Sequence, residues 1–275
     1  MNRDESTIAG FGDEWTRFDQ SELPEEEKSK IFEEYFSIFD WSSVGEESIG
    51  FDLGCGSGRW ASIVAPRVGH LICVDPSDAI EVAKQNLKVH SNVSFHQSDV
   101  DNMPIQDDSM DFGYSLGVLH HIPDTGSALR CCVKKLKIGA PFLVYLYYRF
   151  DNRPFWFKTI WRLSDCVRKV ISRMPHFLRS WVAQILAVVI YWPLARLSLL
   201  GEKCGFDVGN WPLSSYRDRS LYSMRTDSLD RFGTRLEQRF TREEIGRMME
   251  QSGLNQIRFA EKGPAFWCAI GRRVS

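Results

Sequence analysis

The chain has 275 residues, with 34 Lys+Arg and 36 Asp+Glu, and a formal net charge of −2. Its 43% hydrophobic and 25% charged content is typical of a soluble globular protein, which excludes a collagen-like, disordered or coiled-coil chain. A near-zero net charge also argues against a dedicated nucleic-acid binder, because such proteins are usually basic. The length fits one large domain, or one domain with a sizeable insertion.

The cysteines and the first residues predict a cytoplasmic protein. Seven cysteines are scattered along the chain without a C-x-x-C pair, so zinc-ribbon and thioredoxin-like sites are not predicted. The opening residues, MNRDESTIAGFGDEW, lack the apolar core of a signal peptide. The longest uncharged run, 16 residues between Arg179 and Arg196, is shorter than the roughly 20 residues that a spanning helix needs.

The first half of the chain alternates between helices and short apolar strands. Residues 24–40 are predicted as a helix because Pro24 and the acidic residues after it suit a first turn. Strands are predicted at residues 48–53, 70–75, 92–96, 111–116 and 141–148. Further helices are predicted at residues 59–68, 76–90 and 124–137. This alternation predicts a doubly wound, mainly parallel α/β sheet.

The alternation stops after residue 148 and resumes near residue 240. Thr241 and Glu244 have the spacing of a capping box at the start of another helix. Two final strands are predicted at residues 255–260 and 265–271. The simplest architecture is an α/β domain interrupted by a mainly helical lobe: residues 1–148 and 236–275 form the domain, and residues 149–235 form the lobe.

A glycine-rich loop follows the first strand, in the segment IGFDLGCGSGRW. The strand ends at Asp52, and Gly54, Gly56 and Gly58 precede a helix. Glycines let the backbone approach a ligand closely, and a helix N-terminus offers unpaired N–H groups. A dinucleotide fingerprint would need a glycine at position 59, which is Arg59. The loop therefore favours a different adenosine-containing ligand.

Three further segments place polar or small residues at strand ends. Asp75, followed by Pro76, is positioned to accept hydrogen bonds from both hydroxyls of a ribose. Asp99 follows the third strand, where it could accept a hydrogen bond from an adenine amine. The last segment is YSLGVLHHIPD, residues 114–124, at the end of the fourth strand.

Together these four motifs resemble the class I S-adenosylmethionine (SAM)-dependent methyltransferases, especially the small-molecule group with the ubiquinone/menaquinone-type enzymes. The matching text is DLGCGSG, VDPS, SDVDNMPIQDDSMDFGYSLGVLHHIPD and PFLVYLYY; the likeness is strong over residues 48–148 and loose over 240–273. It implies a Rossmann-like sheet of seven strands with an antiparallel last strand. It also implies SAM as the cofactor and methyl transfer to an O, N or C atom of a small-molecule or lipid-linked acceptor.

The resemblance also implies roles for individual residues. Asp52 would face the amino group of the cofactor, and the three loop glycines would line its methionine and ribose side. Asp75 and Pro76 would hold the ribose. The other residues on the cofactor side would be Asp99 and Val100 at the adenine, Leu116 and Gly117 near the sulfonium, and Trp15 and Arg17 on an N-terminal arm, with Arg17 pairing the cofactor carboxylate.

Methyl transfer from a sulfonium is an in-line displacement that depends mainly on alignment and desolvation. A base is needed only if the acceptor must lose a proton. The candidate bases lie at strand ends: His120, His121, Asp124 and Tyr148. The alternative interpretation is that the text HHIPD only shapes the turn into the next helix.

The lobe differs from the rest of the chain in charge and hydropathy. Residues 149–235 hold 15 Lys+Arg and 7 Asp+Glu, a net charge of +8, which leaves −10 on the remainder. Residues 181–200 are apolar on nearly every side of a helix. An apolar stripe at helical spacing precedes them, among basic residues: Trp156, Ile160, Leu163, Val167, Val170, Ile171 and Met174.

Two interpretations of the lobe are open. Residues 155–200 could be an interfacial element on the inner face of a membrane. Alternatively, the lobe is a soluble lid whose apolar face packs on the catalytic domain and covers an apolar or anionic acceptor. Five charged residues could line the acceptor pocket or form a hinge network of salt bridges: Asp227, Asp230, Arg231, Arg235 and Glu237.

Other functions remain open at this point. One is a SAM-binding regulatory or scaffold protein without catalysis. Another is a nucleotide-dependent oxidoreductase, which Arg59 disfavours. A nucleic-acid methyltransferase is disfavoured by the lack of an Asn-Pro-Pro-Tyr-type motif and of a basic appended module. The oligomeric state and the identity of the acceptor are not predicted.

Overall fold

The computed structural model describes residues 2–261 and 267–274. The chain divides into two compact units: unit 1 comprises residues 1–20, 29–149 and 236–275, and unit 2 comprises residues 21–28 and 150–235. The division lies within one residue of the predicted boundaries of the lobe. The grouping of residues 21–28 with unit 2 was not anticipated from the sequence.

Unit 1 is built on a seven-stranded sheet in the order β3-β2-β1-β4-β5-β7-β6. The strands are β1 Ile49–Leu53, β2 His70–Asp75, β3 Val93–Gln97, β4 Phe112–Leu116, β5 Pro141–Leu146, β6 Leu254–Phe259 and β7 Trp267–Arg273. The first five strands pair in parallel, and β7 runs antiparallel to both β5 and β6. This arrangement confirms the predicted fold. Residues 265 and 266 of the predicted last strand lie outside the described residues.

Six helices precede, separate or follow the strands along the described part of the chain: α1 Glu5–Arg17, α2 Glu25–Phe36, α3 Ala61–Val64, α4 Ala79–Asn86, α5 Thr125–Lys135 and α10 Arg242–Gln251. The capping box of α10 is present, with the Glu244 carboxylate accepting from the Thr241 N–H at 2.8 Å. Helix α1 was not predicted, because glycines at positions 10 and 12 weaken its helix propensity. Asp4 caps it by accepting from the Thr7 N–H at 2.7 Å.

The centre of the sheet depends on glycines opposite aromatic rings. In the register of β1 and β4, Gly50 pairs with Phe112 and Phe51 pairs with Gly113. A Cβ at Gly50 would come within 2.2 Å of the Phe112 ring, and one at Gly113 within 2.3 Å of Phe51. Each glycine therefore leaves the space that the ring on the neighbouring strand occupies. Both rings are fully buried, Phe51 on one face of the sheet and Phe112 on the other.

Unit 2 is mainly helical, with α6 Phe155–Ile171, α7 His176–Leu186, α8 Trp192–Lys203 and α9 Leu221–Gly233. A π-helical turn at Ala187–Tyr191 joins α7 to α8, so residues 176–203 form one continuous helix of 28 residues. This helix is longer than the uncharged run in the sequence suggested. The hydrophobic core of unit 2 is small and includes Ile171, Tyr191, Ala195, Met224 and Phe232.

Helix α6 leaves most of its apolar stripe exposed. Five residues of the apolar stripe are exposed: Trp156, Ile160, Leu163, Val167 and Val170. The buried positions are instead Asp165, Arg168 and Ile171. The Arg168 Nε donates to the Asp165 carboxylate at 2.7 Å and its Nη1 donates to the Thr234 carbonyl at 2.9 Å. A charged network therefore joins α6 to the end of α9.

Candidate functional site

Strand topology brings the candidate cofactor residues to one edge of the sheet. Asp52 lies in β1, Asp75 ends β2, Asp99 follows β3 and Leu116 ends β4. Because these four strands are parallel and adjacent, their carboxyl ends meet at the same edge. Four motifs that are far apart in the sequence therefore contribute to one site in unit 1.

The glycine loop crosses this edge in a backbone conformation that only glycine adopts readily. Gly54, Gly56 and Gly58 have φ of 76°, 53° and 77°. The loop is tied to β2 by the Gly54 N–H, which donates to the Val74 carbonyl at 2.7 Å. A Cβ on Gly54 would lie 2.3 Å from the Val118 side chain. The loop thus forms a narrow backbone cradle in which a larger residue would not fit.

Asp75 connects the tip of β2 to this loop. Its Oδ2 accepts from the Gly56 N–H at 2.9 Å, and its Oδ1 accepts from the Ser77 N–H at 2.9 Å and hydroxyl at 2.6 Å. Burial raises the pKa of Asp75, and these hydrogen bonds oppose the rise. Oδ1 therefore has both lone pairs occupied, whereas Oδ2 keeps one lone pair for a ribose hydroxyl. Pro76, next in the chain, is half-buried.

Asp52 is the least satisfied carboxyl group in the site. It is buried, and its Oδ2 has no hydrogen-bond partner among the described residues. Burial raises the pKa of Asp52 to about 8; the neighbouring Tyr114 hydroxyl opposes this shift and the charge of Asp75 adds to it. Such a group is costly in the fold without a ligand. An ammonium group at this position would satisfy it.

Asp99 has a structural role besides any contact with a ligand. Its Oδ1 accepts from the backbone N–H and side-chain amide of Asn102, at 3.0 and 2.8 Å, and so caps a short 3-10 turn. Its Oδ2 pairs with Arg3 at 3.2 Å. Val100 is buried in the core on one face of the sheet. An adenine amine at Asp99 would therefore share a carboxylate that already holds a turn and an arginine.

Helix α1 lies along the edge that carries the site. Gly12 is in contact range of Ser77, and the Trp15 indole lies over Gly56, where an added Cβ would be 3.0 Å from Nε1. At the start of the chain, Asn2 bonds the backbone of Asp124 in both directions, at 2.7 Å each. Together with the Arg3–Asp99 pair, these contacts connect the N-terminal segment to the ends of four strands. Arg17, at the end of α1, is exposed.

The end of β4 is shaped by Gly117. It has a φ of 79°, and its N–H donates to the Tyr145 carbonyl at 3.1 Å. Leu116, immediately before it, is only half-buried. Leu116 packs against the core on one face of the sheet, and its contact with a ligand stays a prediction.

His120 and His121 lie in the turn after β4, within a cluster of aromatic rings. Their ring centroids are 4.0 Å apart, and Tyr147 stacks on His120 at 3.8 Å. Phe11 of α1 contacts His121 edge-on at 5.0 Å. The His121 Nδ1 donates to the Leu236 carbonyl at 2.6 Å, which leaves Nε2 as its acceptor nitrogen.

Burial lowers the pKa of His120 well below its ordinary value, and His121 and Arg239 add to this effect. Neither ring nitrogen of His120 has a hydrogen-bond partner among the described residues. Arg239 lies over the Tyr147 ring at 4.9 Å and pairs with the Glu237 carboxylate at 2.8 Å. His120 is therefore a neutral ring inside this cluster.

The sequence predicts Tyr148 as a candidate base and does not indicate Tyr147. Tyr148 is buried, and its backbone pairs with Phe240. Tyr145 and Tyr147, two residues apart, both contribute rings to the histidine cluster. The alternation of side chains along an extended segment was the signal that could have identified Tyr147.

The five charged residues predicted to line an acceptor pocket or to form a hinge network of salt bridges are divided between the two units. Glu237 belongs to unit 1, and the other four belong to unit 2. Arg231 approaches the Asp165 carboxylate at 3.7 Å and the Trp161 ring at 5.3 Å. Arg235 donates to the Ser172 carbonyl at 3.2 Å. Asp230 lies near the end of α9, where its carboxylate is in range of the Thr234 hydroxyl at 3.4 Å, and Asp227 is half-buried in the same helix.

Comparison with known proteins agrees with this geometry. Residues 51–144 match the methyltransferase domain family. Ubiquinone biosynthesis O-methyltransferases from Marinobacter nauticus and Hahella chejuensis are 31% identical over 98 residues and 24% identical over 134 residues. These matches cover 34% and 48% of this chain, and 41% and 55% of the relatives. The chain therefore aligns with about half the length of these relatives.

Solved structures share the fold. One is from a complex between the Haloferax volcanii Trm112 methyltransferase activator and a methyltransferase, with 13% identity, 99% coverage of both chains and a TM-score of 0.56. Another is the N-methyltransferase NodS from Bradyrhizobium japonicum with S-adenosyl-L-homocysteine, with 14% identity, 98% and 100% coverage and a TM-score of 0.54. The family match shows that this chain contains a methyltransferase domain, and the glycine cradle and the Asp52 carboxyl group lie within the matched residues 51–144.

Proposed function

We propose that this protein transfers a methyl group from SAM to an O, N or C nucleophile of a small-molecule or lipid-linked acceptor. The observation that carries the proposal is the buried Asp52 carboxyl group, whose Oδ2 has no hydrogen-bond partner among the described residues, beside a glycine loop that holds positive φ. A loop with only a structural role would not need a buried acid without a partner.

The residues at the strand ends fit the parts of SAM. The Asp52 carboxylate suits the ammonium group, and the remaining lone pair on Asp75 Oδ2 suits a ribose hydroxyl. Trp15 over Gly56, and α1 more widely, would exclude water from the site. When bound, SAM supplies a methyl group on a sulfonium that is already activated for transfer. The protein then has mainly to bind, align and desolvate.

The histidine cluster is the proposed acceptor side of the site. His121 is oriented by its Nδ1 bond to Leu236, so its Nε2 is the nitrogen that would take a proton from an acceptor hydroxyl. His120 and Tyr147 would position that ring by packing against it. The curated relatives are named as O-methyltransferases, which makes a hydroxyl the first acceptor class to test. We expect no nucleic-acid partner.

Binding of S-adenosyl-L-homocysteine, measured by calorimetry on protein freed of adenosyl ligands, tests the cofactor proposal. Asp75→Asn should weaken binding about tenfold or more, because hydrogen bonds to a buried charge are lost. Asp78→Asn, an exposed acid three residues along the chain, is the matched control and should bind as the unchanged protein does. Absence of binding of both SAM and S-adenosyl-L-homocysteine by the unchanged protein would refute the proposal.

Turnover separates an enzyme from a SAM-binding regulatory or scaffold protein. The purified protein would be incubated with methyl-labelled SAM and a cell extract, and the lipid and aqueous fractions would be counted. Label in a product, lost in Asp75→Asn, supports the transferase. Cofactor binding without label in either fraction would instead favour the non-catalytic alternative.

A further inference from the structure

The long helix of unit 2 presents an uninterrupted apolar face. Between residues 175 and 201, every exposed residue is apolar: Pro175, Phe177, Leu178, Trp181, Ile185, Val188, Val189, Ile190, Trp192, Pro193, Leu197 and Leu200. Trp181 is 68% exposed, which is unusual for so large an apolar ring. Exposed apolar surface of this extent marks a site for a partner or a membrane.

The opposite face of the same helix is composed of small residues. The buried positions include Ser180, Ala183, Ala187, Ala195 and Ser198. They allow α9 to approach closely, and the Ser228 hydroxyl donates to the Ala183 carbonyl at 2.8 Å. A helix in a water-soluble protein normally shows the reverse distribution, with its large apolar side chains turned inward.

Charged side chains in this helix also turn inward. Arg179 is buried and donates to the Gly233 carbonyl at 2.9 Å, and Arg196 donates to the Arg219 carbonyl at 3.0 Å. The arginines at both ends of the uncharged run are thus held by backbone carbonyls of unit 2. The outer face therefore carries no charge between residues 175 and 201, and exposed charges return only at Glu202 and Lys203 at the end of the helix.

Helix α6 repeats the pattern and adds positive charge. Its exposed apolar stripe includes Leu163 and Val167, while Arg162 and Lys169 are exposed beside it and Arg173 follows it. Tryptophans lie exposed in both helices, at Trp156, Trp181 and Trp192. Basic residues and tryptophan beside an aliphatic surface are the composition of helices that lie in a lipid headgroup layer.

We propose that the exposed faces of α6 and of the helix His176–Lys203 form a docking surface for an anionic lipid membrane. The net charge of +8 over residues 149–235 matches that lipid, since each basic residue near an anionic surface favours binding. The helix His176–Lys203 has the length and composition to cross a bilayer. Because its inner face is packed within unit 2, it lies in the plane of the membrane instead of crossing it.

Vesicle flotation of the full chain, without SAM, tests this surface independently of the proposed methyl transfer. The protein should float with phosphatidylcholine vesicles that contain phosphatidylglycerol, and less with phosphatidylcholine alone. Trp181→Glu combined with Val188→Glu should weaken binding about tenfold or more, because charges then enter the apolar contact. Val89→Glu, at a 77% exposed valine of unit 1, is the matched control and should float as the unchanged protein does.

A second variant tests the charge separately from the apolar face. Arg162→Glu with Arg173→Glu should remove the preference for the anionic vesicles while circular dichroism stays unchanged. Equal flotation of the Trp181/Val188 variant and the unchanged protein would overturn the proposal, as would no flotation at all. A dimer that ignores vesicles and dissociates in that variant would identify a second copy of the chain as the occupant instead. Protection of a proteolytic site across the bilayer would show a spanning helix and also overturn the in-plane assignment.

Discussion

The two units of this chain use apolar residues in opposite ways. Within the described residues, four exposed large hydrophobic side chains lie in unit 1 and eighteen lie in unit 2, although unit 2 is the smaller. Unit 1 buries its apolar strands and gathers polar groups at one edge of the sheet, where the buried Asp52 Oδ2 has no hydrogen-bond partner among the described residues. Unit 2 buries charged and small residues and exposes rings. The difference teaches that one unit is built to hold a polar ligand and the other to meet an apolar surface.

The largest expected effect is on the free energy of unfolding, when a leucine is replaced by aspartate in one helix of each unit. Leu129 of α5 is fully buried, whereas Leu163 of α6 is 64% exposed. Leu129→Asp should lose more than about 4 kcal/mol and fail to fold, because a charge is buried without a partner. Leu163→Asp should stay within about 0.5 kcal/mol of the unchanged protein. Urea unfolding measures both, and a large loss in Leu163→Asp would contradict the contrast between the units.

A smaller but still large effect is expected inside unit 2. Arg168→Ala removes the shortest of the ion pairs of the buried Asp165 and leaves the Thr234 carbonyl without its donor. The expected cost is about 3 kcal/mol, with faster hydrogen exchange in α6 and α9. Arg162→Ala, on the exposed side of the same helix, should change the stability little. Equal exchange in the two variants would mean that the charged network does not hold α6.

Asp52→Asn should raise stability and lower cofactor binding. The folded chain raises the pKa of Asp52 to about 8, well above its unfolded value, so ionisation costs stability as the pH rises toward 8. Without ligand, the variant should be more stable by roughly 1–3 kcal/mol at neutral pH, with the gain shrinking in acid. Its binding of S-adenosyl-L-homocysteine should fall about tenfold.

Thermal unfolding across pH and calorimetry measure these two changes in Asp52→Asn. Asp107→Asn, at an exposed acid paired with Lys135, is the comparison variant and should change neither by much. A variant at Asp52 that loses stability at neutral pH would show that the carboxylate already has a partner in solution.

The smallest expected effect is on how the stability of the protein changes in mild acid, where His120 matters. Because the folded chain holds the pKa of His120 well below its ordinary value, the unfolded chain takes up a proton first as the pH falls. Stability should therefore be present above the ordinary histidine pKa and decline below it. His120→Phe should flatten this decline, whereas His90→Phe, half-buried elsewhere in unit 1, should keep it. Melting temperatures measured as a function of pH would show whether the two variants differ.

Much of unit 1 could be predicted because its signals are local. Asp52 lies near the end of β1, Asp75 ends β2 and Asp99 follows β3, so the three acids meet at one edge as parallel strands require. Helix α1 was missed because its glycines weaken the helical pattern, and its packing against the strand ends stabilises it instead. Tyr147 was missed because which of two adjacent rings faces the histidines depends on the exact path of the chain after β5.

The sequence by itself determined the α/β architecture, the glycine loop and the order of the strand-end acids, because hydrophobic periodicity and backbone freedom are properties of short segments. It also located the basic, aromatic lobe between residues 149 and 235. Only the tertiary structure decided which face of each lobe helix is buried. An apolar stripe in the sequence shows only that these residues share one side of a helix. Which side turns inward depends on the backbone carbonyls that accept hydrogen bonds from Arg168, Arg179 and Arg196.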